Sequence, residues 1–187
     1  MSEPGGFGGS AGARLMLGVF VVHNVEEIIH LPRDLERLPD WVSQRGLRVS
    51  TPSFAVATGL LTVAVGAASL TGVGAGGLRR TVLVGGPAAA LVGNAFSHVG
   101  RALVLRRYNG GLASAPVMAL VAGYVFGAST RSASAPARRR TFLLGNVAAL
   151  PAIIGALWGG RVLADLYTRS VVLQLPAPQM ETAPAVP

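Results

Sequence analysis

The sequence predicts an all-α integral membrane bundle of about five transmembrane helices. Of its 187 residues, 51% are hydrophobic and only 13% are charged, which is about half the charged fraction of roughly 25% found in soluble proteins. The mean hydropathy is +0.52. Charged residues are also absent from several long stretches of the chain, as in proteins that cross a lipid bilayer.

Four spans follow from these stretches. Between successive arginines the chain has no charged residue at 49–78, 81–100, 108–130 and 141–160. Each stretch is close to the ~20 residues that a helix needs to cross the bilayer core. The predicted spans are residues 54–73, 81–105, 111–130 and 141–163. Asn146, early in the last of them, is expected to form an interhelical hydrogen bond.

A further span, residues 13–31, comes first in the chain. It has the length to cross, but its second half carries four ionisable side chains among Val, Ile and Leu: His23, Glu26, Glu27 and His30. A cleaved signal peptide does not fit, because its apolar region would contain two glutamates. The segment is therefore predicted to be a membrane helix with a polar site.

The domain organisation predicted from these spans is simple. A single transmembrane helical domain covers residues 13–170. Residues 1–12 are expected to be a flexible N-terminus, and residues 171–187 a disordered Pro-rich tail. A polar connection joins the first two spans.

Composition also narrows the function classes. The formal charge is +8 and every basic residue is Arg, but these arginines sit between long uncharged runs, as in membrane-protein loops, so nucleic acid is not expected as a partner. The chain has no cysteine, which excludes disulfides, iron–sulfur clusters and thiolate metal sites. The Ala-, Gly-, Val- and Arg-rich composition without Lys favours a bacterial source. We therefore expect a multi-pass protein of the bacterial plasma membrane, surrounded by membrane lipids.

The four ionisable residues of the first span form one stripe. At about 100° per residue, they lie within an arc of about 100° on a helix. Such groups face protein or a water-filled cavity, because exposure to lipid is costly. The third span repeats the pattern with Asn94, His98 and Arg101 within about 60° of one another. Since the first and third spans run in the same direction, the two stripes are expected to meet at similar depth.

Three kinds of site fit this set of side chains. Imidazole and carboxylate groups bind zinc, iron or manganese, and the candidate metal ligands are His23, Glu26, Glu27, His30 and His98. The Glu27-Ile-Ile-His30 spacing occurs inside di-iron helix bundles. Without a metal, a buried glutamate with a raised pKa can act as a general acid or base, or as part of a proton path. A salt-bridge network in which Arg101 neutralises a glutamate is the structural alternative.

Three short motifs resemble those of a known family. "HNVEE" at 23–27, "NAFSH" at 94–98 and "YNGGLASA" at 108–115 are similar to the motifs of the HXXEE family of bacterial multi-pass membrane proteins. In that family the third motif tends to read Tyr-x-Pro-Gly-x-x-Thr-Ala, whereas here Gly110 stands in place of Pro and Ser114 in place of Thr. The resemblance implies a membrane protein with a shared polar motif, and it implies no particular reaction.

The function favoured by the residues is a small intramembrane enzyme. Its catalytic candidates are Glu26, Glu27, Asn94 and Arg101, with Asn94 orienting a ligand and Arg101 pairing with a carboxylate or an anionic headgroup. A site within the membrane implies an apolar small-molecule substrate such as a lipid or isoprenoid. The alternatives are a proton-coupled transporter, for which a homo-oligomer would supply the missing surface, and a membrane binding or assembly protein with a structural polar network.

Overall fold

The structure, a computed structural model, describes residues 9–35 and 49–172. Its helices are α1 (Ser10–Leu35), α2 (Thr51–Val73), α3 (Gly77–Leu105), α4 (Ala115–Ser129) and α5 (Ala135–Val172). The predicted all-α bundle of about five helices is confirmed. Most of the predicted flexible N-terminus (1–8), the centre of the polar connection (36–48) and the predicted tail from residue 173 lie outside the described residues.

Helix lengths indicate a membrane protein. Four of the five helices, all except α4, are long and apolar enough to cross a membrane. By contrast, α4 has 15 residues and a length of about 22 Å, which is short for a bilayer core of about 30 Å. The predicted span 111–130 is corrected accordingly: its first four residues are not helical, and they belong to a loop that lies against the polar site.

The five helices form a closed ring. Going around it, α1 packs on α2, α2 on α5, α5 on α3, α3 on α4, and α4 on α1. Leu17 lies beside Gly66, and Asn24 donates a hydrogen bond to Thr62 over 2.9 Å, so α1 and α2 are antiparallel. With α2 running back, α3 runs in the same direction as α1, as expected from the order of spans.

The apolar core lies between α1, α3 and α4. Its buried side chains are mostly small or flexible and include Met16 and Phe20 from α1, Leu91 and Ala95 from α3, and Met118 from α4. Small residues allow the helix backbones to approach closely, which is how membrane helices gain packing energy in the absence of a hydrophobic driving force. Side chains of this core connect α1 with α3, the two helices that carry the polar stripes.

Gly93 allows α3 and α5 to approach closely at Asn146. Asn146 donates hydrogen bonds to the carbonyl oxygens of Ala89 on α3, over 3.1 Å, and of Phe142 in its own helix, over 2.9 Å. The expected interhelical hydrogen bond is confirmed. A methyl group on Gly93 would lie 2.8 Å from Cγ of Asn146, so a side chain at Gly93 and the Asn146 hydrogen bond exclude one another.

Replacing Gly93 by alanine is therefore expected to destabilise the bundle by about 1–3 kcal/mol through overpacking. The thermal unfolding midpoint in a fixed detergent measures this loss. Gly100→Ala is the matched control on the same helix, because a methyl group there meets nothing within 4 Å. Gly93→Ala combined with Asn146→Ala should cost less than the sum of the two single changes, and strict additivity would contradict the proposed clash.

Candidate metal centre

Three side chains with ligand atoms meet between α1 and α3. His23 and Glu27 lie one turn apart on α1, and Oε1 of Glu27 is 3.9 Å from Nε2 of His23 and 3.1 Å from Nε2 of His98 on α3. The two imidazole rings pack edge to face with centroids 4.7 Å apart. Both histidines are buried, whereas the Glu27 side chain is 21% exposed. We call His23, Glu27 and His98 the histidine–glutamate cluster, and in it the two predicted stripes meet.

Hydrogen bonds determine which nitrogen of His23 carries the proton. Nδ1 of His23 is 2.9 Å from Oγ of Ser114, and that hydroxyl donates its single hydrogen to Oε2 of Glu26 over 2.6 Å. Ser114 must then accept from His23, so Nδ1 of His23 is protonated and Nε2 has a free lone pair. Nδ2 of Asn94 donates to this Nε2 over 3.1 Å.

His98 is oriented in a similar way. Its Nδ1 lies 2.8 Å from Oδ1 of Asn109, and Nδ2 of Asn109 donates to the His98 carbonyl over 3.1 Å, which fixes the orientation of the amide. Nδ1 of His98 therefore donates to Asn109, and Nε2 faces Glu27; with Nδ1 protonated, its 3.2 Å contact with Nη2 of Arg101 is not a hydrogen bond. Arg101 also donates to Oδ1 of Asn109, over 3.1 Å. Among the described residues Arg101 thus contacts this amide and the His98 ring, and no carboxylate lies within ion-pair distance of it.

A loop covers the cluster. Residues 106–114, which we call the capping loop, connect α3 to α4, and the chain enters the loop at Arg106 in a left-handed conformation with φ 49°. The backbone N–H of Gly110 donates to Oδ2 of Asp34, near the end of α1, over 2.9 Å. Asn109 and Gly110 are buried in this arrangement. The capping loop is thereby tied to both helices that carry the cluster.

Gly111 is the point of closest approach between the capping loop and the cluster. Its φ of 87° is strained for other residues. A methyl group there would lie 2.5 Å from Cε1 of His23 and 2.8 Å from Cε1 of His98. Only glycine fits this position without moving both rings.

Glu26 holds the capping loop rather than the cluster. Its carboxylate accepts hydrogen bonds from the backbone N–H groups of Ala113 and Ser114, each over 2.9 Å, from the Ser114 hydroxyl, and from the Tyr108 hydroxyl. Desolvation by burial is the larger cause of the raised pKa of the Tyr108 hydroxyl, and this hydrogen bond to Glu26 is the next. Tyr108 therefore remains protonated and a donor at neutral pH.

The structure does not bring all five predicted ligands together. The group of potential ligand atoms that converge consists of His23, Glu27 and His98, all within 4.8 Å of one another. Glu26 is occupied by the capping loop. Nδ1 of His30 is 2.8 Å from the Glu26 carbonyl oxygen, and its ring packs 5.1 Å from that of Tyr108. Glu26 and His30 thus lie beside the histidine–glutamate cluster, while Asn94 and Arg101 contact its histidines.

Sequence reasoning missed three residues of the site. Ser114 and Asn109 orient the two imidazoles, and Gly111 packs against both rings. All three lie within the "YNGGLASA" motif. The resemblance of that motif to the family pattern was the signal that could have identified them, because it marked this uncharged segment as part of the shared feature.

A large cavity opens beside the cluster. It has a volume of about 1250 Å³, and its walls come from α1, α2, α3 and α5. Glu27, Asn94, His98 and Arg101 line one part of it, and most of the remaining wall is apolar. Its volume exceeds the roughly 300–1,000 Å³ of common small-molecule sites. The cluster is thus accessible from a mainly apolar space within the bundle.

The cluster can hold a metal ion. Ligand bonds of about 2.0–2.2 Å place neighbouring ligand atoms about 3.0–3.5 Å apart around a tetrahedral or octahedral ion. The 3.1 Å between His98 and Glu27 already matches, whereas the 3.9 Å between His23 and Glu27 is longer, and all three ligand atoms lie within 4.8 Å of one another. The side chains would have to draw closer together around an ion. Hydrogen bonds from the opposite ring nitrogens to Ser114 and Asn109 are the kind of outer support that metal-binding histidines have.

Comparison with known proteins places the chain in a family without transferring a function. No curated protein and no solved structure matches it. One family does match, over residues 14–126, and the matched part contains the whole histidine–glutamate cluster and the capping loop. The chain belongs to this family, which is described as proteins of unknown function with an HXXEE motif.

Proposed function

We propose that this protein is a small membrane enzyme whose histidine–glutamate cluster binds one divalent transition-metal ion and acts on an apolar, lipid-like molecule in the adjoining cavity. Two imidazoles and one carboxylate are the ligand set of many catalytic zinc sites and of mononuclear iron sites with open positions. Zinc, iron and manganese are the candidate ions.

One observation carries the proposal. Both buried imidazoles have Nδ1 held by a hydrogen-bond acceptor, so both direct Nε2 towards the same oxygen of Glu27. A purely structural polar network does not require two histidines in the same tautomer around one carboxylate oxygen. A metal site does, because the metal needs the free lone pair on each ring.

The side chains around the cluster define what it could do. A bound ion would polarise a substrate oxygen or lower the pKa of a bound water. Asn94 lines the cavity and its amide hydrogen-bonds Nε2 of His23, so this amide must turn away when an ion binds. It would then be free to orient a substrate.

A second function rests on the same residues. The 3.1 Å between Nε2 of His98 and Oε1 of Glu27 is also the length of a hydrogen bond. In that case the pair is a metal-free general acid and base at the end of the cavity. Metal content separates the two functions.

Metal analysis of the detergent-purified protein, after dialysis against zinc, manganese or iron(II), tests the proposal. We expect about one ion per chain in the wild type, and in His23→Ala and His98→Ala an affinity at least about 100-fold lower, because even loss of an outer partner costs 10–100-fold. His30→Ala is the matched control, since the chain has three histidines and this one lies outside the cluster.

Two results would contradict a metal centre. The first is a folded wild-type protein that retains none of the three metals after dialysis, which would leave the acid–base pair. The second is an equal loss of metal in His30→Ala, because the ion would then be held by histidines in general rather than by the cluster.

A further inference from the structure

The cavity beside the cluster is lined mainly by small and apolar side chains over most of its length. Between its two ends the α3 residues that line it include Pro87, Ala90 and Leu91, and those of α5 include Ala148 and Ala152. Side chains of this size leave an elongated space between α2, α3 and α5. Thr81 and Arg140 line the end away from the cluster. From Pro87 to Arg101 the α3 wall is about 21 Å long, which exceeds the roughly 15 Å of half a bilayer core.

Beyond Leu91 the same α3 wall becomes polar. Asn94, His98 and Arg101 follow at the spacing of one helix face, and all three line the cavity. One helix stripe is therefore apolar in its first part and polar in its second. A molecule that matches both parts has a long apolar chain and a polar head at the cluster.

Arg101 specifies the charge of that head. Among the described residues, Nη2 of Arg101 donates to Oδ1 of Asn109 and lies 3.2 Å from Nδ1 of His98, although a guanidinium offers five N–H donors. Within the described ranges it lies in no ion pair. Arg101 is exposed and lines the cavity, so its guanidinium is accessible to a ligand there. Phosphate and carboxylate groups match the planar guanidinium with paired hydrogen bonds.

From these observations we infer that the cavity binds a long-chain amphiphile with an anionic head, the head against Arg101 beside the cluster and the chain between α2, α3 and α5. This inference deepens the proposed function, because the head would lie at the same cluster. It does not need the metal for binding, so the two ideas can fail separately.

Binding of defined amphiphiles to the detergent-purified protein tests whether the site requires an anionic head. Hexadecyl phosphate and palmitate combine a long alkyl chain with an anionic head. Hexadecanol has the alkyl chain but no charge, and inorganic phosphate has the charge but no alkyl chain. We expect both anionic amphiphiles to bind at least about tenfold more tightly than hexadecanol, and inorganic phosphate not to compete at equal concentration. Arg101→Gln should abolish the preference, whereas Arg107→Gln, outside the cavity wall, should retain it.

Substitutions at two neighbouring residues on α5 test where the apolar chain of the ligand lies. Ala148 lines the cavity, whereas Val147 does not line it and is 61% exposed. Ala148→Phe should weaken every long-chain ligand at least about tenfold, and Val147→Phe should not, because only the first fills the space.

Several outcomes would overturn the inference. They are equal binding of hexadecanol and hexadecyl phosphate, wild-type binding by Arg101→Gln, full competition by inorganic phosphate, and equal effects of the two phenylalanines. Measuring each ligand with metal-free and metal-loaded protein keeps the proposals apart. Amphiphile binding by a protein that takes up no metal would contradict the metal centre only, and metal uptake with equal binding of hexadecanol and the anionic amphiphiles would contradict this inference only.

Discussion

Replacing Gly111 by alanine should disrupt the histidine–glutamate cluster and destabilise the whole bundle. The new methyl group would lie 2.5 Å from His23 and 2.8 Å from His98, and it would hold alanine at a φ of 87°. Backbone strain of this kind costs about 1–3 kcal/mol, and overpacking of a filled site costs a further 1–3 kcal/mol or so. We expect unfolding in a fixed detergent to begin at a clearly lower temperature, and the metal affinity to fall with it.

The chain contains a control for each part of this effect. Gly77 also has a positive φ, of 55°, but a methyl group there meets nothing within 4 Å, so Gly77→Ala measures backbone strain without the clash. Gly110→Ala changes the adjacent residue, whose added methyl group would meet His30 and Glu27 at 3.1–3.2 Å rather than the two rings. If Gly111→Ala lost no more stability than Gly77→Ala and kept its metal, the described contact between loop and rings would be wrong.

The helices could be predicted largely from the positions of charged residues. Uncharged stretches of about 20 residues have few alternatives to spanning a bilayer, so α2 and α3 begin and end close to their predicted bounds. α5 contains the predicted span 141–163 but extends beyond it at both ends, from Ala135 to Val172. The beginning of α4 could not be predicted in this way. Residues 111–114 are as uncharged as a membrane helix, but Gly111 has a positive φ and the backbone N–H groups of Ala113 and Ser114 donate to Glu26 on another helix.

The site could be predicted as a face but not as a set of contacts. Helical geometry places His23, Glu26, Glu27 and His30 on one stripe, and the shared direction of α1 and α3 brings His98 to the same depth; both expectations were met. The stripe, however, spans about 100°, and that is wide enough to face two neighbours. Glu27 points to α3 and Glu26 to the capping loop, which the helical period alone cannot distinguish.

The two adjacent glutamates are therefore expected to have opposite roles. Oε1 of Glu27 faces Nε2 of both imidazoles, whereas both oxygens of Glu26 accept hydrogen bonds from the capping loop. Glu27→Gln should abolish metal binding with little loss of stability, because the amide keeps the size of the side chain and no loop depends on it. Glu26→Gln should do the reverse, because its new NH₂ group faces donors.

Glu26→Ala should have the largest effect on stability in this region. Glu26 is half-buried, and hydrogen bonds to charged groups contribute about 1.5–3 kcal/mol each, less where solvent reaches them. The backbone N–H groups of Ala113 and Ser114 would lose their acceptor, so the capping loop should detach. Trypsin cleavage after Arg106 and Arg107, both exposed, reports this detachment when the fragments are mapped by mass spectrometry.

Comparison with Tyr108→Phe measures how much the capping loop depends on the carboxylate itself. That change removes one of the four donors to Glu26 and should cost only about 0.5–1.5 kcal/mol, with slow cleavage at the two arginines. Trypsin should cleave the Glu26→Ala variant much faster than the Tyr108→Phe and Glu27→Gln variants. If instead Glu27→Gln exposed the capping loop while Glu26→Ala lost only its metal, the roles described for the two glutamates would have to be exchanged. If the Glu26→Ala and Glu27→Gln variants each lost both the bound metal and the protected capping loop, the two glutamates would have the same role. The distinction between a metal-binding Glu27 and a loop-binding Glu26 would then be wrong.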